Sequence, residues 1–384
     1  MSSLTAAVVG TGFIGPVHVE ALRRAGIQVA GILGSSAEKS ARAAESLGLP
    51  RGYSSFSEIL ADPAVNVVHI TTPNRFHFEQ AQAVLRAGKH VLCEKPLSMN
   101  SLESAALVKL AAETKQAAGV AYNIRFYPLC HEAADRVRTS SIGRLFHVMG
   151  SYTQDWLLYP TDYNWRVSAD EGGKLRAIAD IGTHWLDLIQ FIAGEKVTSV
   201  CADLSTLHPQ RYRNRGSSET FSQAKPTQDT HDAVAIDTED CGSIMLRFAS
   251  GAQGLMWVSQ CTAGKKNALH FELAGSEQAL AWDSQRPNEL WIGHRTGPNE
   301  NLIRDPALLS PSAAGIANYP GGHNEGFPDS FKQLFRTFYG SIERNDYLVN
   351  PKYPTFADGH YEILLCEAII ESNFTQRWVS VATA

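Results

Sequence analysis

Residues 5–26 read Thr5-Ala-Ala-Val-Val-Gly10-Thr-Gly-Phe-Ile-Gly15-Pro-Val-His-Val-Glu-Ala-Leu-Arg-Arg-Ala-Gly26. A short apolar run is ended by a glycine, and a helical pattern occupies residues 16–25. Between them Gly10-x-Gly12-x-x-Gly15, with Phe13 and Ile14 inside it, forms a glycine-rich strand-to-helix turn. Glycines permit the tight turn and a close approach, so that amide N–H groups at the helix N-terminus can face a pyrophosphate. Three glycines alone also serve ordinary β–α turns. Weight comes from the alternation downstream of the turn: strand 28–33, a helix-rich run to Gly48, strand 65–70, helix 74–87 ending at Gly88, and strand 90–93. Asn100 reads as the N-cap of a helix over 101–118, and 120–122 closes the series. Alternation of apolar strands with helices predicts a parallel sheet covered on both faces. Residues 1–124 are therefore expected to be an α/β Rossmann domain that binds a dinucleotide.

The kind of dinucleotide is not decided by these residues. An acidic side chain ~20 residues past the glycines usually bonds the ribose 2′-hydroxyl of NAD. Here strand 28–33 runs into Gly34-Ser35-Ser36, with Lys39 and Arg42 nearby and Glu38 inside the next helical turn. Small hydroxyls beside two cations suit a 2′-phosphate, yet they also leave NAD usable through a weaker ribose contact. NAD and NADP both stay open.

Beyond Tyr122 the rhythm changes. A helix is expected over 129–139, a strand over 145–152 and a second helix over 181–193. Strand then follows strand: 199–204, 233–238, 243–248, 253–259, 270–274, 280–282 and 290–292, several joined by short Gly-containing turns. This predicts an α+β domain over 125–384 with a large, open, mostly antiparallel sheet. Such a sheet must cover its far face, so that face is expected to form a homo-oligomer interface. Residues 207–231 and 299–324 show no regular pattern, and long patternless stretches are usually binding loops or lids. Residues 356–375 read as a long amphipathic helix, and 378–381 as a strand.

Composition narrows the classes. A chain of 384 residues suggests about two domains at ~150 residues each. Lys and Arg total 34 against 39 Asp and Glu, so bulk charge gives no attraction to nucleic acid or to an anionic membrane. No apolar stretch of ~18 residues is present, which excludes a membrane-spanning helix. The cysteines Cys93, Cys130, Cys201, Cys241, Cys261 and Cys366 are scattered without a C-x-x-C pair, so no metal site is expected and a reducing compartment is indicated. The first strand begins at Thr5, leaving no room for a signal peptide, and the chain is expected to be cytoplasmic.

Two short segments carry chemistry. Glu94-Lys95-Pro96 follows strand 90–93 at the carboxyl edge of the sheet, where open α/β folds bind ligands. A solvated turn lysine is the plain alternative. In Asp180-Ile-Gly-Thr183-His184-Trp-Leu-Asp187, helical spacing puts Ile181, Trp185, Leu188 and Ile192 on one apolar stripe. Asp180 and His184 then become i,i+4 neighbours, close enough for a carboxylate to orient an imidazole. The competing reading makes Asp180 an N-cap and His184 a half-buried helix residue.

Gly10–Gly15, Thr72-Pro73-Asn74 with His77, Glu94-Lys95-Pro96 and Asp180-x-x-x-His184, taken in order and spacing, resemble the Gfo/Idh/MocA family of oxidoreductases. The resemblance covers essentially the whole chain. It implies a dinucleotide domain followed by an α+β domain whose sheet mediates dimers or tetramers, and an active site of Lys95, Asp180 and His184. The segment 154–166 followed by Gly172-Gly173 looks like the subgroup acting on pyranose sugars, anhydrosugars or related polyols. Oxidation of an anhydrosugar such as levoglucosan is the sharpest form of that expectation.

In that setting His184 is the expected general base, with an ordinary pKa of ~6.5. Lys95 is expected to bond the reacting oxygen, and Asp180 to fix the imidazole. Gly10, Gly12, Phe13, Ile14, Ser35, Ser36, Lys39, Thr72, Pro73, Asn74, His77, Glu94, Lys95, Asn123, Trp165 and Arg166 are expected at the cofactor. Arg125, Tyr127, Tyr152, Gln154, Asp155, Arg166, Thr183, His184 and His323 are expected at the substrate, with Trp165 able to stack on a ring and the turn 321–325 acting as a lid. His18, His90 and His131 are read as structural. Two further readings accompany the family: a catalytically silent NAD(P)-binding sensor, and an NADPH-dependent ketosugar reductase.

Overall fold

The computed structural model describes residues 4–214 and 231–382, which form two compact units. One comprises the chain up to Asn123 together with Phe327–Ile363, and the other Ile124–Gly326 with the chain from Leu364 onward. The expected domain over 125–384 is thus not continuous. Phe327–Ile363 returns to the first unit, carrying a helix Phe327–Arg344 that the sequence pattern does not reveal.

In the first unit, β1 (Thr5–Val9), β2 (Gln28–Leu33), β3 (Val67–Ile70), β4 (His90–Cys93) and β5 (Ala118–Val120) form a wholly parallel sheet. Its order is β2-β1-β3-β4-β5. The strands are buried along almost their whole length, as near-continuous apolar runs require when helices cover both faces. Asn100 does cap its helix, its side chain accepting from the Glu103 amide, but that helix is Ser101–Thr114 rather than 101–118. Lys115 adopts a left-handed φ of 55°, which ends the helix and lets the chain enter β5. Phe331, Phe335 and Phe338 of the helix Phe327–Arg344 are buried in this unit.

The second unit is built on β6 (Leu145–Thr153), β7 (Val197–Ser205), β8 (Gln210–Asn214), β9 (His231–Ala235), β10 (Cys241–Phe248), β11 (Gln253–Ser259), β12 (Ala268–Gly275), β13 (Gln278–Asp283), β14 (Glu289–His294), β15 (Glu300–Ile303) and β16 (Val379–Ser380). Nine of these make one sheet, β15-β14-β13-β12-β6-β11-β10-β7-β16, antiparallel except where β6 and β11 run parallel. Two regions expected to lack pattern carry structure. β8 pairs with β9 as a separate ribbon, and 299–324 holds β15 and a short helix Pro311–Ala314. The remainder of the first of these regions, 215–230, lies outside the described residues. The helix Thr183–Ala193 packs on the sheet, its Trp185 Nε1–H donating to the His270 carbonyl of β12 at 2.9 Å. Among the described residues no helix is long and apolar enough to cross a membrane.

Candidate active site

The glycine turn is built as its sequence requires. Gly10 has φ of +117°, and a Cβ there would lie 2.5 Å from Thr71 Oγ1. A Cβ on Gly15 would lie 2.2 Å from the Gly10 carbonyl. These two glycines permit the backbone to fold onto itself. Gly12 differs: it is exposed, and a Cβ there would meet nothing within 4 Å. Its bare surface, directly before the helix Ile14–Arg24, is the cradle through which a phosphate reaches turn amides at a helix N-terminus. Phe13 is 51% exposed beside it and Ile14 is half-buried. The residues present therefore fit a dinucleotide.

At the end of β2 the serines are partly committed to the fold. Ser36 is the N-cap of the helix Ala37–Leu47, accepting from the Lys39 amide at 3.2 Å. Gly34 N–H donates to Ser40 Oγ at 2.8 Å. A Cβ on Gly34 would fall 3.1 Å from Lys39 Cβ and 3.2 Å from Thr11 Cγ2, a tight fit that a small shift of either side chain relieves. Ser35 and Lys39 are exposed, and Arg42 pairs with Glu38 at 3.3 Å.

The loops after β3 and β4 are locked to each other. His77 is fully buried, its Nδ1 2.8 Å from the Pro96 carbonyl and its Nε2 2.8 Å from the Thr72 carbonyl. His77, expected at the cofactor, thus ties the two loops together. The sequence does not single out Gln80, whose Oε1 accepts from the Thr72 hydroxyl at 2.7 Å. Pro73 is half-buried and Asn74 buried. Lys95 is half-buried, next to a buried Glu94 whose Oε2 accepts the Lys95 amide at 3.2 Å. Asn123, also expected at the cofactor, is buried and donates to Ser330 Oγ at 2.7 Å.

In the second unit Asp180 is the centre of a polar cluster. It lies not in a regular helix but in a π turn, Ile178–Gly182, that leads into Thr183–Ala193. Its Oδ1 accepts from Arg166 Nε at 3.2 Å and its Oδ2 from Gln260 Nε2 at 2.9 Å. The Arg166 guanidinium lies over Trp165 at 4.4 Å and over Trp156 at 5.7 Å, charge facing the negative ring faces. His184 is 9% exposed, its ring centroid 6.3 Å from that of Tyr152. Burial, and then the charge of Asp180, push the Tyr152 phenol up, so it keeps its proton and donates to Asn267 Oδ1 at 2.8 Å. Gln154 donates to that same oxygen at 2.8 Å and accepts from Trp156 Nε1–H. Tyr152, Gln154, Trp165, Arg166, Asp180 and His184 thus belong to one neighbourhood, joined by Trp156, Gln260 and Asn267, which sequence reasoning missed. Trp156 stands inside the 154–166 segment; Gln260 and Asn267 follow β11 with no motif around them.

Other expected substrate residues are committed elsewhere. The Arg125 guanidinium grips Asp187 through two hydrogen bonds, one at 2.7 Å, and lies over Phe191. Tyr127 is buried against Trp282, with ring centroids 5.1 Å apart. Asp155 accepts from Gly264 N–H and from Lys266 Nζ. The Thr183 hydroxyl is buried and donates back to the Ala179 carbonyl at 3.0 Å. His323 is exposed, but its turn is pinned rather than lid-like. The buried Arg304 guanidinium donates to the carbonyls of Tyr319, Pro320 and His323 and pairs with Glu325 at 3.0 Å.

A glycine turn fitted to a dinucleotide, with a carboxylate–imidazole neighbourhood in the second unit, defines the class as a dinucleotide-dependent oxidoreductase. Comparison with known proteins places the chain within it. An oxidoreductase family described as NAD-binding Rossmann fold matches residues 4–122, and the Gfo/Idh/MocA C-terminal domain matches residues 130–281. The chain belongs to the Gfo/Idh/MocA family, and its first unit carries an NAD-binding Rossmann domain. It is 29% identical to levoglucosan dehydrogenase of Pseudarthrobacter phenanthrenivorans, over 99% of each chain. It is 30% identical to myo-inositol 2-dehydrogenase of Thermotoga maritima, over 65% of this chain and 66% of the other. A solved structure of levoglucosan dehydrogenase with NADH and L-sorbose superposes with a TM-score of 0.89 at 28% identity, covering 100% of both chains.

Proposed function

We propose that this oxidoreductase transfers hydride between a secondary alcohol of a pyranose sugar, anhydrosugar or related polyol and NAD(P), with Lys95, Asp180 and His184 as the acid–base set. One observation supports this above others: the end-to-end likeness to levoglucosan dehydrogenase, itself solved with NADH and levoglucosan at 29% identity and a TM-score of 0.87. When bound, the nicotinamide supplies the hydride acceptor. The chain supplies the rest. His184 takes the hydroxyl proton as hydride leaves the carbon, and Lys95 donates a hydrogen bond to the same oxygen as negative charge develops. Asp180, clamped by Arg166 and Gln260, sets a fixed negative charge in the neighbourhood of His184 and favours its protonated form. Tyr152, Gln154 and Asn267 form a polar wall, and Trp156 and Trp165 offer the apolar faces that a sugar ring stacks on.

The working form is a homodimer or homotetramer formed through the open face of the nine-stranded sheet, and the six free cysteines suit a reducing cytoplasm. The test is to titrate the purified chain with NAD⁺ and NADP⁺ by tryptophan fluorescence. Hexoses, inositols and anhydrosugars are then screened for absorbance at the reduced-nicotinamide band. Turnover of one of these alcohols is expected. Tight cofactor binding with no alcohol oxidised would shift the reading toward a ketosugar reductase, and no binding would overturn it.

A further inference from the structure

One buried line of side chains takes no part in the proposed hydride transfer. Four groups from four elements of the first unit stand in hydrogen-bond contact: Glu94 after β4, His18 from the helix Ile14–Arg24, His69 from β3, and Tyr339 from the helix Phe327–Arg344. Glu94 Oε1 lies 3.1 Å from His18 Nε2. His18 Nδ1 and His69 Nδ1 are 2.9 Å apart, and His69 Nε2 is 2.9 Å from the Tyr339 hydroxyl. Both imidazoles are 0% exposed, Tyr339 1% and Glu94 7%. Phe335 packs edge-on against both imidazoles, at 4.9 Å and 4.8 Å between centroids, and Phe331 adds a second ring against His18.

Valence then dictates who donates. A neutral imidazole has one N–H and one lone pair. Burial holds the His69 imidazole well below its usual range, so it is neutral. Burial likewise keeps the proton on the Tyr339 phenol. With Glu94 taken as a carboxylate and His18, like His69, as a neutral imidazole, His18 Nε2–H donates to Glu94, which leaves His18 Nδ1 only able to accept. His69 Nδ1–H therefore donates to His18, and His69 Nε2 accepts from the Tyr339 O–H. Each link forces the next. At the near end, the other oxygen of Glu94 accepts the backbone N–H of Lys95 at 3.2 Å.

We propose that His18, His69 and Tyr339 are positioning residues, a hydrogen-bonded chain with a single donor order that aims the Glu94 carboxylate and so holds the Lys95 backbone for its part in the reaction. This rests on the role proposed for Lys95. A carboxylate on a two-carbon stem is free to rotate; here one oxygen is fixed by an imidazole whose own tautomer is set by a second imidazole and a phenol. Networks of this kind gain from mutual polarisation, and a partly satisfied one is costly.

Two measurements test it. In the full-length protein labelled with ¹⁵N-histidine, ring-nitrogen NMR spectra at pH 7 should show His69 as the Nδ1–H tautomer and His18 as the Nε2–H tautomer. The signals are assigned from the variants His69→Gln and His18→Gln. Opposite tautomers, or an imidazolium at either site, overturn the donor order, and this holds even if no sugar or polyol is turned over. The conservative variant Tyr339→Phe removes the far donor. It should lower kcat about tenfold, a part of the ~10²-fold that a 1 Å misplacement brings, while the Kd for NAD⁺ changes less than about twofold. Tyr353→Phe, an equally buried phenol in the same unit, should keep wild-type kcat. An unchanged kcat in Tyr339→Phe overturns the positioning role. Absence of any alcohol oxidation by the wild type would instead remove the reaction that Lys95 was assigned to, leaving the spectra to judge the chain by itself.

Discussion

His184 combines the features expected of a general base in a single side chain. It opens the helix Thr183–Ala193, is nearly buried, and has Tyr152 and Asp180 in its neighbourhood. If it is the general base, His184→Ala should reduce kcat by about 10²–10⁴ while dinucleotide binding is nearly kept, because positioned proton transfer contributes in that range. Steady-state kinetics beside a fluorescence titration separate the two; a variant with normal turnover removes His184 from the mechanism. The spacing Asp180-x-x-x-His184 is legible as a property of the sequence, although Asp180 stands in a π turn and not in the regular helix that an i,i+4 pair assumes. What holds the carboxylate is not legible. Gln260 and Asn267 reach the cluster from a loop after β11, and only the closure of a nine-stranded sheet brings them beside Asp180 and Tyr152. His18 shows no more than a structural role in the sequence for the same reason: its partners are His69 and Glu94, 51 and 76 residues away.

Among elements, the two turns that carry the chemistry differ in how they are held. The glycine turn is held by sterics, and this predicts opposite fates for two of its glycines. Gly12→Val points into open space, so it should melt within about 2 °C of wild type yet lose dinucleotide binding. Gly15→Val drives a side chain into the Gly10 carbonyl and should unfold the first unit at much lower temperature. Thermal melts with and without NAD⁺ read both. The turn bearing Asp180 is held electrostatically. Glu239, wholly buried, accepts the amides of Arg176 and Ile178 at 2.8–2.9 Å, and its carboxyl is pushed up to about 7, chiefly by burial. A carboxyl raised in the folded state favours folding fully below the unfolded value of ~4.5, and the advantage is lost as pH rises toward 7. Stability should therefore fall by about 3 kcal/mol across that window on account of this group. Glu239→Gln keeps an acceptor for the amides without the titration, so the wild-type minus variant difference should decline over that window and then level off. A difference independent of pH would contradict the shift. Alternating strands and helices are readable because each run has its period. The helix Phe327–Arg344 escapes notice because a patternless stretch precedes it, although Phe331, Leu334, Phe335 and Phe338 mark its buried face.

At the level of the whole molecule, the register of the large sheet states what an isolated chain leaves unfinished. Cys201, Met245, Leu255, Met149, Glu272, Ala281 and Trp291 are successive cross-strand partners from β7 to β14, so they form one row on one face. Met245, Leu255, Met149 and Trp291 on that row are 45%, 47%, 43% and 38% exposed, and Trp257 beside them 45%. Their neighbours Ile244, Leu246, Met256 and Val258 on the opposite face are fully buried. A face that exposes this many large apolar side chains, interrupted on the row only by Glu272, seldom faces water, and a second copy of the same face is the simplest cover for it. A stable interface needs about 800 Å² from each partner, which a surface spanning seven strands supplies readily. Leu255→Arg would place a charge at the middle of that row, where two copies related by a twofold axis bring it near its own image. Sedimentation equilibrium should show the wild type as a dimer or tetramer at micromolar concentration. The variant should dissociate at least tenfold more readily, with an unchanged monomer melt, since Leu255 packs outward rather than into the core. A wild type that sediments as a monomer would overturn the reading of this face as an interface between copies.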